Sequence, residues 1–110
     1  MAAMSDLVVA DRLERLAHLL RTGQASDLMS RTLDKLISHE AEVSLTQLKQ
    51  LQTDLAEFER AYGMTSDEFF HRYQTGLTDD RMEFVEWASL IQMTLKLRHR
   101  MEALTSVEEL

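Results

Sequence analysis

The chain contains no proline and no cysteine, and only three glycines among its 110 residues. Because proline and glycine interrupt helices more than other residues do, their scarcity favours long helices over an architecture of strands and turns. The lack of cysteine excludes a disulfide framework and a thiolate metal site, so we expect a protein of the reducing cytoplasm. Its apolar runs are much shorter than the roughly 18 residues needed to cross a bilayer. We therefore expect a soluble protein without a membrane partner.

Positive charge is also scarce, and the net charge is −7. Residues 1–40 carry five basic and six acidic side chains, whereas residues 41–110 carry seven basic and thirteen acidic ones. Binding to nucleic acid through phosphates needs a concentrated basic face, and the C-terminal part has none. We therefore do not expect DNA binding, and a basic protein partner suits the chain better.

Apolar residues recur at helical spacing through most of the chain, which predicts an all-α fold. An N-terminal accessory helix is predicted within residues 1–25, followed by a polar connector at Gly23 to Ser26. The body, residues 26–110, is predicted to be a coiled-coil-like antiparallel helical hairpin. Its elements are a long helix at 27–62, a short connecting helix at 66–75 and a last helix at 79–104.

The turn of this hairpin is predicted from two glycines, Gly63 and Gly76. A residue just past a helix end often adopts a left-handed conformation, which glycine adopts without steric cost. Thr65 or Ser66 can cap the short helix. Thr78 or Asp79 can cap the last helix in the same way.

The long helix has one irregular segment. Its second half fits a heptad seam, but the register slips between about 38 and 43. A capping-box pattern at Ser44 to Gln47 leaves open a break into two helices at this point. We predict a single helix, because no proline or glycine lies within it.

Self-association is predicted from length and from apolar surface. The long helix would measure about 54 Å at 1.5 Å per residue, more than a compact domain of this size spans. The last helix is apolar on several faces, so it should be buried on several faces. We expect a homo-oligomeric helical bundle, a dimer or larger, with these core or interface residues: Leu48, Leu51, Leu55, Phe58, Tyr62, Phe84, Trp87, Leu90 and Ile91.

Two motifs carry a resemblance to a known family. They are FERAYGMTSDEFF at residues 58–70 and MEFVEWASL at residues 82–90, separated by Gly76 and the pair Asp79-Asp80. Together they resemble small helical prokaryotic proteins identified as antitoxin components of toxin–antitoxin modules, over about residues 33–101. The resemblance implies neutralisation of a cognate toxin by direct protein–protein binding. It transfers this role but no set of binding residues.

The toxin is expected to be basic and to act on RNA or nucleotides, because an acidic surface can mimic phosphates. Two surfaces are candidates for binding it: an apolar stripe on the N-terminal helix and the acidic outside of the hairpin. We favour the N-terminal helix as a toxin-contacting arm, although it could instead bind DNA or fold back onto the body. The candidate partner-binding residues are Val9, Leu13, Leu16, Leu20, Glu83 and Glu86.

An enzymatic alternative rests on two acidic pairs, Asp54-x-x-Glu57 and Glu83-x-x-Glu86. They are similar to the paired motifs with which all-α nucleoside triphosphate pyrophosphohydrolases hold Mg²⁺. Asp and Glu are interchanged relative to that pattern, and no lysine lies beside the pairs to take a phosphate. We therefore interpret them as surface charge and predict no enzyme. A purely structural oligomerisation protein is a further alternative.

Two histidine patterns resemble metal sites but lack the residues that such sites need. His39-Glu40 lacks the second histidine of a zinc protease helix, because Val43 stands in its place. Glu68-x-x-His71 has di-iron spacing, but it occurs once, on a short helix. We predict no catalytic residue, no metal and no cofactor.

Overall fold

The computed structural model describes residues 3–105. Residues 1–2 and 106–110, which belong to the predicted segments 1–25 and 26–110, lie outside the described residues. The described chain forms four helices and no strand: α1 (Met4–Arg21), α2 (Asp27–Tyr62), α3 (Ser66–Gln74) and α4 (Met82–Thr105). The prediction of an all-α fold is confirmed. No helix in this range has the length and apolar character that a membrane span requires.

The chain divides into two compact units, Met1–Ser38 and His39–Leu110. The division falls inside α2, at the start of the segment where the heptad register slips. α2 itself runs through Ser44 as one helix. The Ser44 hydroxyl has no hydrogen-bond partner among the described residues, so the capping box that would mark a break is not formed.

The first unit consists of α1 and the beginning of α2. The N–H of Gln24 donates to the Leu19 carbonyl at 2.8 Å, which satisfies a carbonyl at the end of α1. The Ser26 hydroxyl accepts from the N–H of Met29 at 3.2 Å and so caps α2. No residue of α1 is buried.

In the second unit, α4 packs antiparallel to α2. The rings of Phe58 and Trp87 stack with centroids 5.4 Å apart near one end of the helix pair. Near the other end, the Arg100 guanidinium pairs with the Glu40 carboxylate. These contacts join residues far apart in sequence, as an antiparallel hairpin requires.

The turn between the two helices depends on Gly63, whose φ of +65° is strained for a residue with a side chain. The next helix, α3, has two caps on its first turn. The Thr65 hydroxyl accepts from the N–H of Glu68 at 3.1 Å, and the Glu59 carboxylate accepts from the N–H of Ser66 at 2.7 Å. Because Glu59 belongs to α2, this second bond fixes α3 relative to α2.

The start of the last helix differs from the prediction, since α4 begins at Met82 and not at Asp79. The Asp79 carboxylate accepts from the backbone N–H of Arg81 at 3.1 Å and from its guanidinium at 2.9 and 2.8 Å. These hydrogen bonds accompany a non-helical backbone at residues 79–81. The first helical hydrogen bonds are accepted by the Arg81 carbonyl. Arg81 therefore precedes the first helical residue, and neither Thr78 nor Asp79 is the cap.

The core of the second unit is aromatic. Trp87 and Phe69 are almost completely buried, and their rings stack with centroids 3.9 Å apart. The indole N–H of Trp87 donates to the Ser66 hydroxyl at 3.0 Å, so its polar atom is satisfied. Ala88 and Ile91 complete this cluster. It joins α3 to α4, and Phe58 of α2 stacks on it.

Candidate functional site

The second unit has a groove between α2 and α4, which we call the α2/α4 groove. It has two sections, of about 550 and 410 Å³, and both are lined by Asp54 and Leu90. The shared residues make the groove continuous. One section, the acidic section, is otherwise lined by Glu57, Phe58, Ala61, Tyr62, Glu83 and Glu86. The other, the basic section, is otherwise lined by Gln47, Gln50, Leu51, Met93, Lys96, Leu97 and Arg100.

The acidic section brings together both acidic pairs whose sequence spacing is similar to that of a magnesium site. The Tyr62 hydroxyl donates to the Glu83 carboxylate. This hydrogen bond raises the pKa of Tyr62 above its ordinary value of 10.0. Among the described residues, no three side chains of His, Cys, Asp or Glu converge closely enough to hold one metal ion.

The basic section combines two cations with an apolar floor. Leu51 and Leu97 are buried in the floor, whereas Met93 exposes 53% of its surface. Arg100 pairs with Glu40 of its own chain. Lys96 makes no ion pair within residues 3–105. The groove is thus acidic at one end and basic at the other, with apolar side chains between.

The first unit carries the other candidate surface, the α1 stripe, formed by Val9, Leu13, Leu16 and Leu20. Val9 is 50% exposed and Leu13 is 42% exposed. Leu20 is also exposed, and Leu16 is half-buried. The stripe therefore keeps much of its apolar surface open to water.

The nine predicted core or interface residues all lie in the second unit and fall into two groups by burial. Trp87, Ile91 and Leu51 are buried, and the other six are half-buried. Four of the nine, namely Leu51, Phe58, Tyr62 and Leu90, also line the α2/α4 groove.

Several residues that shape these sites are not predicted from the sequence pattern. Phe69 is one of the most buried side chains, but α3 is too short for periodicity to reveal its buried face. Met93, Lys96 and Arg100 were also missed as groove residues. Their spacing of three and four places them on one face of α4, which was the available signal.

Comparisons with protein-family models, with curated proteins and with solved structures gave no match. The resemblance to antitoxins therefore depends on the two motifs at residues 58–70 and 82–90.

Proposed function

We propose that this chain is an antitoxin-like protein that neutralises a cognate toxin by direct binding and has no catalytic role. The observation that supports this most is the uncovered α1 stripe. α1 has 18 residues and none is buried. An isolated helix of that length is marginal in water, so α1 gains order when a partner covers its apolar side.

The spacing of the stripe suits binding in a groove of the toxin. Val9, Leu13, Leu16 and Leu20 follow the i, i+4, i+7, i+11 pattern of a helix that inserts one face into an apolar groove. Covering the remaining exposed surface would contribute roughly 1 kcal/mol for each side chain. The net charge of −7 favours a basic toxin, because opposite charges speed encounter and disfavour wrong partners. A basic toxin would act on RNA or on nucleotides.

The test uses the product of the neighbouring gene as the toxin. Expression of that product alone should arrest growth, and co-expression of the wild-type chain should relieve the arrest. The double variant Val9→Glu/Leu13→Glu should bind at least tenfold more weakly, because each carboxylate would be buried without a partner. Affinity is measured by calorimetry on the purified proteins.

The matched control is Leu7→Glu/His18→Glu, which places two carboxylates on the opposite face of α1. It should neutralise as the wild type does. If the Val9→Glu/Leu13→Glu variant bound the toxin with wild-type affinity, α1 would not be the toxin-contacting helix. Failure of the wild-type chain to relieve any arrest would overturn the antitoxin role and favour a purely structural oligomerisation protein.

A second candidate function is a Mg²⁺-dependent nucleoside triphosphate pyrophosphohydrolase. It rests on the position of Asp54, Glu57, Glu83 and Glu86 in one section of the groove, where no three of these described side chains converge closely enough to hold one metal ion. We expect the purified chain to release no pyrophosphate from nucleoside triphosphates with Mg²⁺. Release that disappears in Glu86→Gln would establish the enzyme and contradict our proposal.

A further inference from the structure

We infer that the α2/α4 groove is closed by a second copy of this chain, turned so that the acidic section of each copy covers the basic section of the other. The two-fold axis crosses the groove at the level of Asp54 and Ile91. α2 of one copy then lies antiparallel on α2 of the other, and α4 on α4, as in an antiparallel four-helix bundle. The inference does not depend on the identity of a toxin.

The charges on α4 are placed symmetrically about this axis. Glu86 and Lys96 both lie five residues from Ile91, or about 7.5 Å along the helix. The two-fold rotation reverses α4, so Glu86 of each copy lies level with Lys96 of the other. Neither side chain has an ion pair within its own chain among residues 3–105. A second copy supplies the missing partner twice.

The next pair outward follows the same symmetry. Glu83 lies eight residues before Ile91 and Arg100 lies nine residues after it. After the rotation, Glu83 of one copy and Arg100 of the other therefore differ in position by one residue, or about 1.5 Å along the helix axis. Glu83 and Arg100 already have partners within the chain, namely Tyr62 and Glu40. The outer pairs would therefore extend existing polar contacts at both ends of the groove.

Apolar side chains meet between the charged pairs. Leu51 and Phe58 lie three and four residues on either side of Asp54, so the rotation brings Leu51 of one copy to the level of Phe58 of the other. On α4, Leu90 lies near the axis. Met93 is 53% exposed, and its flexible side chain can fill the space between the copies.

Other occupants fit the charges less well. A two-fold axis parallel to the helices would place the acidic section against itself and gather four carboxylates from each copy. A uniformly basic partner would suit the acidic section but would face Lys96 and Arg100 in the basic section. Of these three arrangements, the antiparallel second copy is the one that matches both ends of the groove.

The antiparallel arrangement has one unfavourable contact, because Asp54 of both copies lies near the axis. Gln50 donates to the Asp54 carboxylate at 3.0 Å and satisfies part of its hydrogen-bonding capacity. Two like charges still approach each other there. Replacing Asp54 by Asn should therefore tighten the dimer, whereas the same change should weaken the binding of a basic partner.

The test is a charge exchange followed by analytical ultracentrifugation of the full chain over a range of concentrations. Wild-type protein should sediment as a dimer of the 12.7 kDa chain. Lys96→Glu and Glu86→Lys should each weaken association roughly tenfold or more, because each places like charges opposite one another twice. The double variant Lys96→Glu/Glu86→Lys should restore association to within about threefold of wild type. Asp54→Asn should tighten it.

Trp87 fluorescence checks that each variant is folded, so a loss of association can be separated from a loss of structure. A second measurement is cross-linking through single introduced cysteines, which is specific because the wild-type chain contains no cysteine. A short bis-maleimide should cross-link Leu90→Cys into dimers. It should not cross-link Ala61→Cys alone, but it should link Ala61→Cys to Gln47→Cys in a mixture.

A monomer at all concentrations would overturn the inference and leave the groove to another partner. A dimer in which the double variant is as weak as the single ones would overturn the antiparallel arrangement. Efficient cross-linking of Ala61→Cys alone would do the same.

Discussion

Ser44 is completely buried in the second unit, and its hydroxyl finds no hydrogen-bond partner among the described residues. A buried polar group without a partner costs free energy, since water satisfied it in the unfolded chain. Trp87 shows the opposite case, because its indole N–H reaches Ser66. At position 44, therefore, the buried site accommodates a small side chain, but the polar hydroxyl of Ser44 is unfavourable for stability.

We expect Ser44→Ala to raise the free energy of unfolding by about 1 kcal/mol. The substitution removes the unsatisfied hydroxyl and adds a better helix former. Urea denaturation followed by Trp87 fluorescence measures the change.

The control is Ser89→Ala, at an exposed position of α4 where the hydroxyl donates to the Val85 carbonyl at 2.9 Å. Ser89→Ala measures the effect of the change in helix propensity alone, because its hydroxyl is not buried. A Ser44→Ala protein less stable than wild type would show that the hydroxyl is satisfied in solution.

The entry into α4 is set by a local electrostatic contact. Asp79 holds the backbone and guanidinium of Arg81, and the same guanidinium lies 4.7 Å from the centre of the Phe84 ring. The hydrogen bonds from Arg81 lower the pKa of Asp79 below its ordinary value of 3.8. Since the folded pKa is the lower one, the contribution to stability is present above about pH 4 and is lost as the pH falls through the folded pKa.

We therefore expect Asp79→Asn to lose less stability than wild type between pH 6 and pH 3. Asparagine can still accept from the N–H of Arg81, but its charge no longer depends on pH. The measurement is the urea midpoint of each protein at both pH values. Asp80→Asn is the control, since Asp80 is exposed and makes no ion pair in the described chain. Equal acid sensitivity in Asp79→Asn and Asp80→Asn would show that the Asp79–Arg81 contact contributes nothing to the pH dependence.

At the scale of the whole molecule, stability is unevenly distributed between the two units. Every residue found buried in the described chain, from Ser44 to Leu97, belongs to the second unit. The first unit has helices but no buried side chain in α1. Such a unit contributes little to cooperative unfolding.

We expect the fragment 39–110 to fold alone, with the helix content and Trp87 emission expected for its three helical segments. It should retain dimerisation through the α2/α4 groove and lose toxin neutralisation with the α1 stripe. Circular dichroism, fluorescence and sedimentation measure these properties against the full chain. Aggregation of the fragment would place the first unit in the core. A folded monomer would show that assembly requires residues 1–38.

Local sequence signals determined the helical class. The absence of proline, the glycines at 63 and 76 and the hydroxyl at Thr65 act within a few residues, so they can be read without knowing the fold. The single helix through Ser44 follows from the absence of a helix breaker. The apolar stripe of α1 also needed only periodicity.

Tertiary structure alone decided the features that join distant residues. Asp79 lies outside α4 because its side chain binds Arg81. The sequence pattern alone does not show whether the Asp79 carboxylate caps the helix or binds Arg81. Phe69 becomes core because α3 is held against Trp87 through Glu59 and Ser66. The pairing of an acidic section with a basic one along a single groove arises from α2 and α4 lying side by side. Neither helix sequence contains that arrangement by itself, since it depends on the rotation of each helix about its axis when the aromatic core packs.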